Sequence, residues 1–250
     1  MISTPCLLSD VFMDIEKRFT PDRKKSDLAR KVISKIDYFR FYLPFRIKND
    51  IKLDNWDGCM EILRYPDMYL KEGFIPEKGT CIYDIGAQYG DHAILWSKRY
   101  GASVFSFEID NETYEKLKEN LIINKAKVSA FNIAVGNGDM MKDRNGEKIS
   151  TISVDALTKS LPAPDVLKID VEGGETNVLE GASKTISLFH PRIILEVHSS
   201  RLETECNEFL LHKGYELNIR DREYTGPRAE GNEWMDKIQN LFYKYRGDKQ

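Results

Sequence analysis

Cys81-Ile82-Tyr83-Asp84-Ile85-Gly86-Ala87-Gln88-Tyr89-Gly90 decides how the rest of the chain is read. An apolar run ends in Asp84-Ile85 and passes straight into a segment holding two glycines. A parallel strand that stops at a ligand has this form, because the tight turn must bring backbone close to the bound group and a side chain would block it. Ala87-Gln88-Tyr89 separates Gly86 from Gly90, so the spacing is not GxGxxG, and no Gly-Lys-Ser/Thr follows to cradle phosphates. Dinucleotides and nucleoside triphosphates are therefore poor matches to this loop.

Working outward, the next apolar run, Val104-Phe105-Ser106-Phe107, ends in Glu108, 24 residues after Asp84. An acidic side chain at the end of the second strand can accept hydrogen bonds from both hydroxyls of a ribose. Taken singly, Asp84 reads as a capping residue and Glu108 as a solvated strand end. In this order and spacing they indicate a ribose-bearing cofactor. Ala134-Val135, after the third apolar run, suits either the wall of an adenine pocket or ordinary strand-end packing.

Apolar runs recur at Cys81 to Ile85, Val104 to Phe107, Val128 to Ile133, Val166 to Ile169 and Ile193 to Val197. Helical periodicity fills His92 to Tyr100, Thr113 to Ile123 and Thr176 to Leu188. Alternation of this kind predicts an α/β fold with a mainly parallel sheet and helices on both faces. Residues 134 to 160 break the rhythm, and Asn145-Gly146 beside the alternating Ile149-Ser150-Thr151-Ile152 predicts a surface hairpin followed by a short helix before Pro162. A helix over Glu203 to His212, capped near Gly214, and strands at Tyr215 to Ile219 and Leu241 to Tyr245 bring the expected sheet to seven strands.

Residues 1–78 read as an extension preceding a domain at 79–250. Helical stretches are expected at Ser9 to Phe19 and from Ser26 into Phe41, and short β-structure between Phe45 and Leu53 around the turn dipeptide Asn49-Asp50. The aromatic residues Tyr38, Phe39, Phe41, Tyr42, Trp56 and Tyr69 belong either to a substrate lid or to the core. The apolar face of the second helix either covers its own domain or forms a homodimer face.

The 37 basic and 40 acidic side chains leave a formal charge of -3, so no global field holds a polyanion or an anionic membrane. Nucleic acid is not an expected partner. No apolar run approaches the roughly 20 residues of a membrane helix, and the N-terminus lacks a basic region followed by an apolar stretch, so a cytoplasmic location is expected. Cys6, Cys59, Cys81 and Cys206 are scattered without a CxxC pair, which argues for buried thiols over a zinc site or disulfides.

Further along, Lys168-Ile169-Asp170-Val171-Glu172-Gly173-Gly174-Glu175 followed by Val178-Leu179-Glu180-Gly181-Ala182 resembles the signature of the FkbM-type methyltransferases. The same resemblance runs through Asp84 to Gly90, Phe107-Glu108, Leu117 with Asn120, Ala134-Val135-Gly136, Val154-Asp155 and Glu196-Val197-His198, covering about residues 78 to 200 in order. Two positions depart from it: Gln88 replaces the usual asparagine, and Ile109 replaces a common proline. The resemblance implies a Rossmann-like class I fold and S-adenosylmethionine as cofactor. It places Asp84, Gly86, Ala87, Gly90, Glu108, Ile109, Ala134 and Asp170 around that cofactor, and it implies O-methylation of a hydroxyl on a sugar, glycolipid or polyketide-like small molecule.

Methyl transfer to oxygen needs in-line placement and a group to take the proton. Asp170, His198 and Glu172 are the candidate catalytic residues: Asp170 ends the fourth strand, Glu172 follows it, and His198 closes the fifth strand with an imidazole suited to proton removal near neutral pH. Glu175 reads as a helix-start residue that complements the dipole, and Lys168 as a structural partner of a neighbouring carboxylate. Asp170, Glu172, Glu196 and His198 are able to gather a divalent cation, but their spacing does not demand one, and no metal is assigned. Methylation of RNA or protein, or a cofactor-binding module without turnover, are the alternatives.

Overall fold

The computed structural model describes residues 35, 38–54, 62–63, 66–142, 148–224 and 238–248. The expected helix at Ser9 to Phe19, most of the one starting at Ser26, and Trp56 lie outside these residues. The chain divides between Asp50 and Ile51 into two compact units.

In the first unit, Tyr38–Tyr42 forms a π-type turn that runs into helix α1, Leu43–Asn49. The short β-structure expected at Phe45 to Leu53 is not formed: Phe45 to Asn49 are helical and Ile51 to Leu53 belong to no strand. Pro44 sits in the first turn of α1, where its missing N–H costs nothing. Asp50 adopts φ 52° and its N–H closes on the Arg46 carbonyl at 2.9 Å. Asp50 thus supplies one left-handed residue, a conformation that turn dipeptides favour, but as the cap of a helix whose last residue is Asn49.

The second unit is built on a seven-stranded sheet in the order β3-β2-β1-β7-β8-β10-β9. Its strands are β1 Cys81–Ile85, β2 Ser103–Phe107, β3 Val128–Phe131, β7 Val166–Ile169, β8 Arg192–Val197, β9 Tyr215–Tyr224 and β10 Ile238–Tyr245. Strands β1, β2, β3, β7 and β8 pair in parallel, and β10 runs antiparallel to both neighbours. This is the Rossmann-like α/β architecture expected. Strand order reverses between β1 and β7, and crevices of open α/β sheets lie at the carboxyl ends of such a pair.

Period-two alternation sends side chains to two cores. Tyr83, Ile85, Leu167, Ile169, Leu195 and Val197 face one, where they meet Val178 and Leu179 of α5 (Glu175–Gly181), Ile186 of α6 (Ser183–Phe189) and Leu202, Cys206 and Leu210 of α7 (Ser200–His212). Ile82, Val104, Val166, Ile194 and Phe242 face the other, covered by Met68, Tyr69, Phe74, Ala93 and Trp96. Ala93 lies in α2, Asp91–Leu95, which continues as a π-type turn through Tyr100, and α3, Asn111–Asn124, follows β2.

The irregular region is a second sheet, β4 Ala134–Gly136, β5 Met140–Lys142 and β6 Lys148–Ser153, leading into α4, Val154–Leu157. The hairpin and the short helix thus form as expected. The stretch expected to be one helix, Thr176 to Leu188, is split at Ala182 into α5 and α6. Asp155 explains the split, because its carboxylate accepts from the N–H groups of Lys184 and Thr185 at 3.0 and 2.8 Å and starts a new helix there. Cys81 and Cys206 are buried free thiols, and no helix among the described residues is long and apolar enough to cross a membrane.

Candidate functional site

The loop after β1 is held from three sides. Gly86 has φ 80°, and a Cβ there would sit 1.7 Å from the Asp170 carbonyl oxygen, so only glycine lets the loops after β1 and β7 meet. Lys168 Nζ donates to the Gly86 carbonyl at 2.7 Å. Asn120 of α3 donates to the Tyr89 carbonyl at 3.0 Å and accepts from the Asp54 N–H at 3.0 Å, which ties the loop to α3 and to the segment before the sheet. The expectation that Gly86 clears room for a ligand is therefore completed by a nearer reason, the approach of two backbones. Gln88, at φ 45°, accepts the left-handed conformation that asparagine or glycine would take more easily.

Glu108 is 6% exposed, and its two carboxylate oxygens accept from the N–H groups of Gln88 and Asp110, each at 2.8 Å. Burial pushes its pKa up, against the pull of those two N–H groups and of Lys168. An ionised carboxylate has about four lone-pair sites, so two bonds to backbone leave capacity for the two hydroxyls of a ribose. Asn132 was not singled out by sequence, yet its amide donates to the carbonyls of Glu108 and Ile109 at 3.0 and 3.1 Å and clamps this corner. Ile109 itself is exposed, Ala87 is buried in the loop after β1, and Ala134 is buried at the start of β4.

Asp84 and Lys168 are cross-strand partners on β1 and β7, both buried. Lys168 Nζ lies 3.2 Å from Asp84 Oδ1, off the angle of a directed hydrogen bond, and 3.4 Å from Asp170 Oδ2. Burial alone would lower the lysine pKa, but Asp84, Asp170 and Glu196 outweigh it and hold the ammonium above its ordinary range. Burial raises the Asp84 carboxyl, and Lys168 opposes that rise. Lys168 thus joins the two halves of the switch point.

Beyond Lys168 a second constellation forms at the ends of β7 and β8. His198 Nδ1 is 2.7 Å from Glu175 Oε1, while its Nε2 faces Asp170 Oδ1 at 3.7 Å and Glu196 Oε1 at 3.6 Å. Glu175 is fully buried at the start of α5 and also accepts from the Gly173 N–H, so it orients an imidazole as well as starting a helix. Burial on its own would depress the His198 pKa. The bond to Glu175 and the charges of Asp170, Glu175 and Glu196 reverse that and push it up to about 9. The surrounding carboxylates thus favour the protonated imidazole.

Tyr69 completes the constellation from outside the regular α/β repeat. Its hydroxyl donates to Glu196 Oε2 at 3.1 Å, and its ring lies against His92 and beneath Lys168 Nζ. Glu172 stands half-buried at φ 51° in the turn between Asp170 and α5. The structure therefore brings Asp170 and His198 together with Glu175, Glu196 and Tyr69. Sequence reasoning underweighted Glu175, and nothing local marked Tyr69 as a partner of Glu196, 127 residues away.

The residues present fit a nucleoside cofactor with a positively charged end. Ser106 Oγ, beside Asp84 in register, is buried and has no hydrogen-bond partner among the described residues. A buried hydroxyl of that kind calls for a ligand or water. Glu108 supplies acceptors for a diol, and the carboxylates of Asp84 and Asp170 supply negative charge for an ammonium or sulfonium.

A family model described as the methyltransferase FkbM domain matches residues 84–245. The hexuronic acid methyltransferase AglP of Haloferax volcanii is 29% identical over 141 residues, 49% of this chain and 58% of that protein. The chain thus spans less than two thirds of this relative's length. Among solved structures, methyltransferase FkbM from Methylobacillus flagellatus KT aligns with a TM-score of 0.52 and 18% identity, covering 71% of this chain and 47% of that one. Precorrin-6y C5,15-methyltransferase from Geobacter metallireducens GS-15 aligns at 0.47 and 16%, covering 68% and 81%. At 18% identity the Methylobacillus structure speaks for the fold alone.

Proposed function

The chain belongs to the FkbM methyltransferase family and uses S-adenosylmethionine, and from that premise we propose that it methylates a hydroxyl oxygen of a carbohydrate acceptor. The observation that carries this reading is the adjacency at the switch point of two differently built halves. Glu108 and the Gly86–Gly90 loop suit the nucleoside. Half-buried Asp170 and buried His198 and Glu196 form a polar edge next to it, suited to a polyhydroxylated acceptor. The Haloferax relative, named for hexuronic acid, supports a sugar as acceptor class.

In this reading Asp84, Gly86, Ala87, Gly90, Glu108, Ile109 and Ala134 line the cofactor, and Asp170 stands between cofactor and acceptor. S-adenosylmethionine, when bound there, would supply a sulfonium methyl group for transfer to an acceptor oxygen. The hydroxyl proton passes to a carboxylate of the Asp170 cluster. His198, held by Glu175, fixes the geometry of those carboxylates, and Glu172 borders the same turn. Lys168 holds Asp84 and Asp170 at a fixed spacing, so placement rather than covalent chemistry is what the protein contributes.

The test is transfer of radiolabelled methyl from S-adenosylmethionine to a panel of uronic acids, neutral glycosides, RNA and protein. Label in a sugar, with the methyl recovered as an ether on a former hydroxyl oxygen, supports the reading, whereas a methyl ester overturns the hydroxyl as the acceptor group. Label only in RNA or protein overturns the acceptor class, and S-adenosylhomocysteine binding without any transfer overturns turnover.

A further inference from the structure

Asp170, Glu196 and His198 share a geometry that methyl transfer alone does not require. One ligand atom from each lies within 4.8 Å of the other two. His198 Nε2 is 3.7 Å from Asp170 Oδ1 and 3.6 Å from Glu196 Oε1. Two ligands of a magnesium ion at 2.0–2.1 Å are roughly 3 Å apart when adjacent and roughly 4 Å apart when opposite, so these separations close around an ion with small side-chain shifts.

The other atom of each residue is tied down by a different partner. Asp170 Oδ2 is paired with Lys168, Glu196 Oε2 accepts from the Tyr69 hydroxyl, and His198 Nδ1 is bonded to Glu175. Metal-ligating side chains are held in this way, and a carboxylate behind the second imidazole nitrogen is one recurring form of it. The three inner atoms converge because three outer atoms are fixed.

A separate observation comes from β10. Asn240 is the cross-strand partner of Glu196, which puts both side chains on the same face of the sheet. Asn240 is 2% exposed, and its Oδ1 has no hydrogen-bond partner among the described residues. A buried amide oxygen beside a carboxylate is satisfied by a cation or by the hydroxyl of a ligand, and not by another acceptor. Charge agrees with the geometry: Asp84, Asp170, Glu175 and Glu196 are gathered around Lys168 and one imidazole.

We propose that Asp170, Glu196 and His198 bind one divalent cation, magnesium or manganese, which receives two neighbouring oxygens of the acceptor. Two carboxylates and one imidazole favour these ions over zinc, and three protein ligands leave positions open on an octahedral ion. The cation lowers the proton affinity of the acceptor hydroxyl and fixes it in line with the methyl group. Its chemical role rests on the methyl-transfer reading, while its geometry does not. It selects for acceptors with adjacent hydroxyls or a hydroxyl beside a carboxylate.

The experiment is titration of the chelator-stripped full chain with manganese(II) chloride, following free manganese by electron paramagnetic resonance. One manganese per chain is expected. Glu196→Gln should weaken its binding by at least about 100-fold, and Glu175→Gln, which removes the negative charge behind His198, by about 10-fold. No binding at millimolar manganese, or equal binding by the wild type and both variants, overturns the site. Should Glu196→Gln fail to fold, Glu175→Gln and competition by magnesium carry the same decision. Titration of the same wild-type sample with S-adenosylhomocysteine separates the two readings: homocysteine-cofactor binding without manganese binding overturns the cation alone, and manganese binding without it upholds the cation and overturns the cofactor reading.

Discussion

The two halves of the switch point hold carboxylates in different ways. On the side of β1 and β2, Glu108 is bonded to backbone N–H groups, and the Gly86–Gly90 loop is held through backbone carbonyls. On the side of β7 and β8, Asp170, Glu175, Glu196 and His198 are bonded mainly to one another's side chains. Backbone-built sites depend on a short stretch of chain with special conformations. Side-chain-built sites depend on residues that only packing brings together, so substitutions in the two halves should differ in kind.

The largest effect is expected where the halves join. Lys168→Met leaves the buried Asp84 and the half-buried Asp170 without their cation, and breaking the buried Asp84 pair in this way costs about 3–5 kcal/mol, measurable by urea denaturation. A loss below 1 kcal/mol would mean that the two halves are held independently of Lys168. Next in size, Glu108→Ala removes the buried acceptor and should weaken S-adenosylhomocysteine binding by about 100-fold in calorimetry, the value of two charge-assisted hydrogen bonds. An unchanged affinity would remove Glu108 from the cofactor side.

Gly86→Ala should cost about 2 kcal/mol, since a Cβ meets the Asp170 carbonyl and φ is positive. It should disturb both halves at once, with cofactor affinity falling together with stability. Asn120→Ala, which frees the Tyr89 carbonyl and the Asp54 N–H, should cost about 1–2 kcal/mol and touch the cofactor side only. Equal losses of cofactor and manganese affinity in Asn120→Ala would dissolve the distinction between the halves.

The smallest effect concerns Cys81, whose thiol is pushed by burial, with help from Asp165, from the ordinary 9.0 to about 11. The fold favours the protonated thiol, so this contribution to stability is complete below pH 9 and fades as pH rises toward 11. Alkylation of native protein should leave Cys81 unmodified at pH 8, where about one thiol in a thousand is ionised. Rapid labelling of Cys81 at pH 8 would contradict the burial that defines the amino end of β1.

Much of this was legible from residues alone. The parallel strands, the hairpin after β4 and the loop at Gly86 follow from periodicity and from glycine's tolerance of positive φ, which act over a few neighbouring residues. The reading failed at Asn49-Asp50 for a related reason. A residue that tolerates left-handed backbone serves a turn or a helix end, and the Asp50-to-Arg46 bond shows that here it ends a helix. Likewise the break at Ala182 depends on Asp155, whose carboxylate arrives from another helix.

Residue pattern alone carried the α/β class, the succession of the main strands along the chain and the positions of Asp84, Glu108, Asp170 and His198 at strand ends. These are consequences of local pattern, since a strand's end and its facing side are set by its own alternation. The tertiary structure alone decided that Glu175 stands behind His198, that Tyr69 reaches Glu196, and that Asn240 lies beside it. Each of those contacts joins residues far apart in the chain, and their distances depend on strand order and helix packing, which no local pattern encodes.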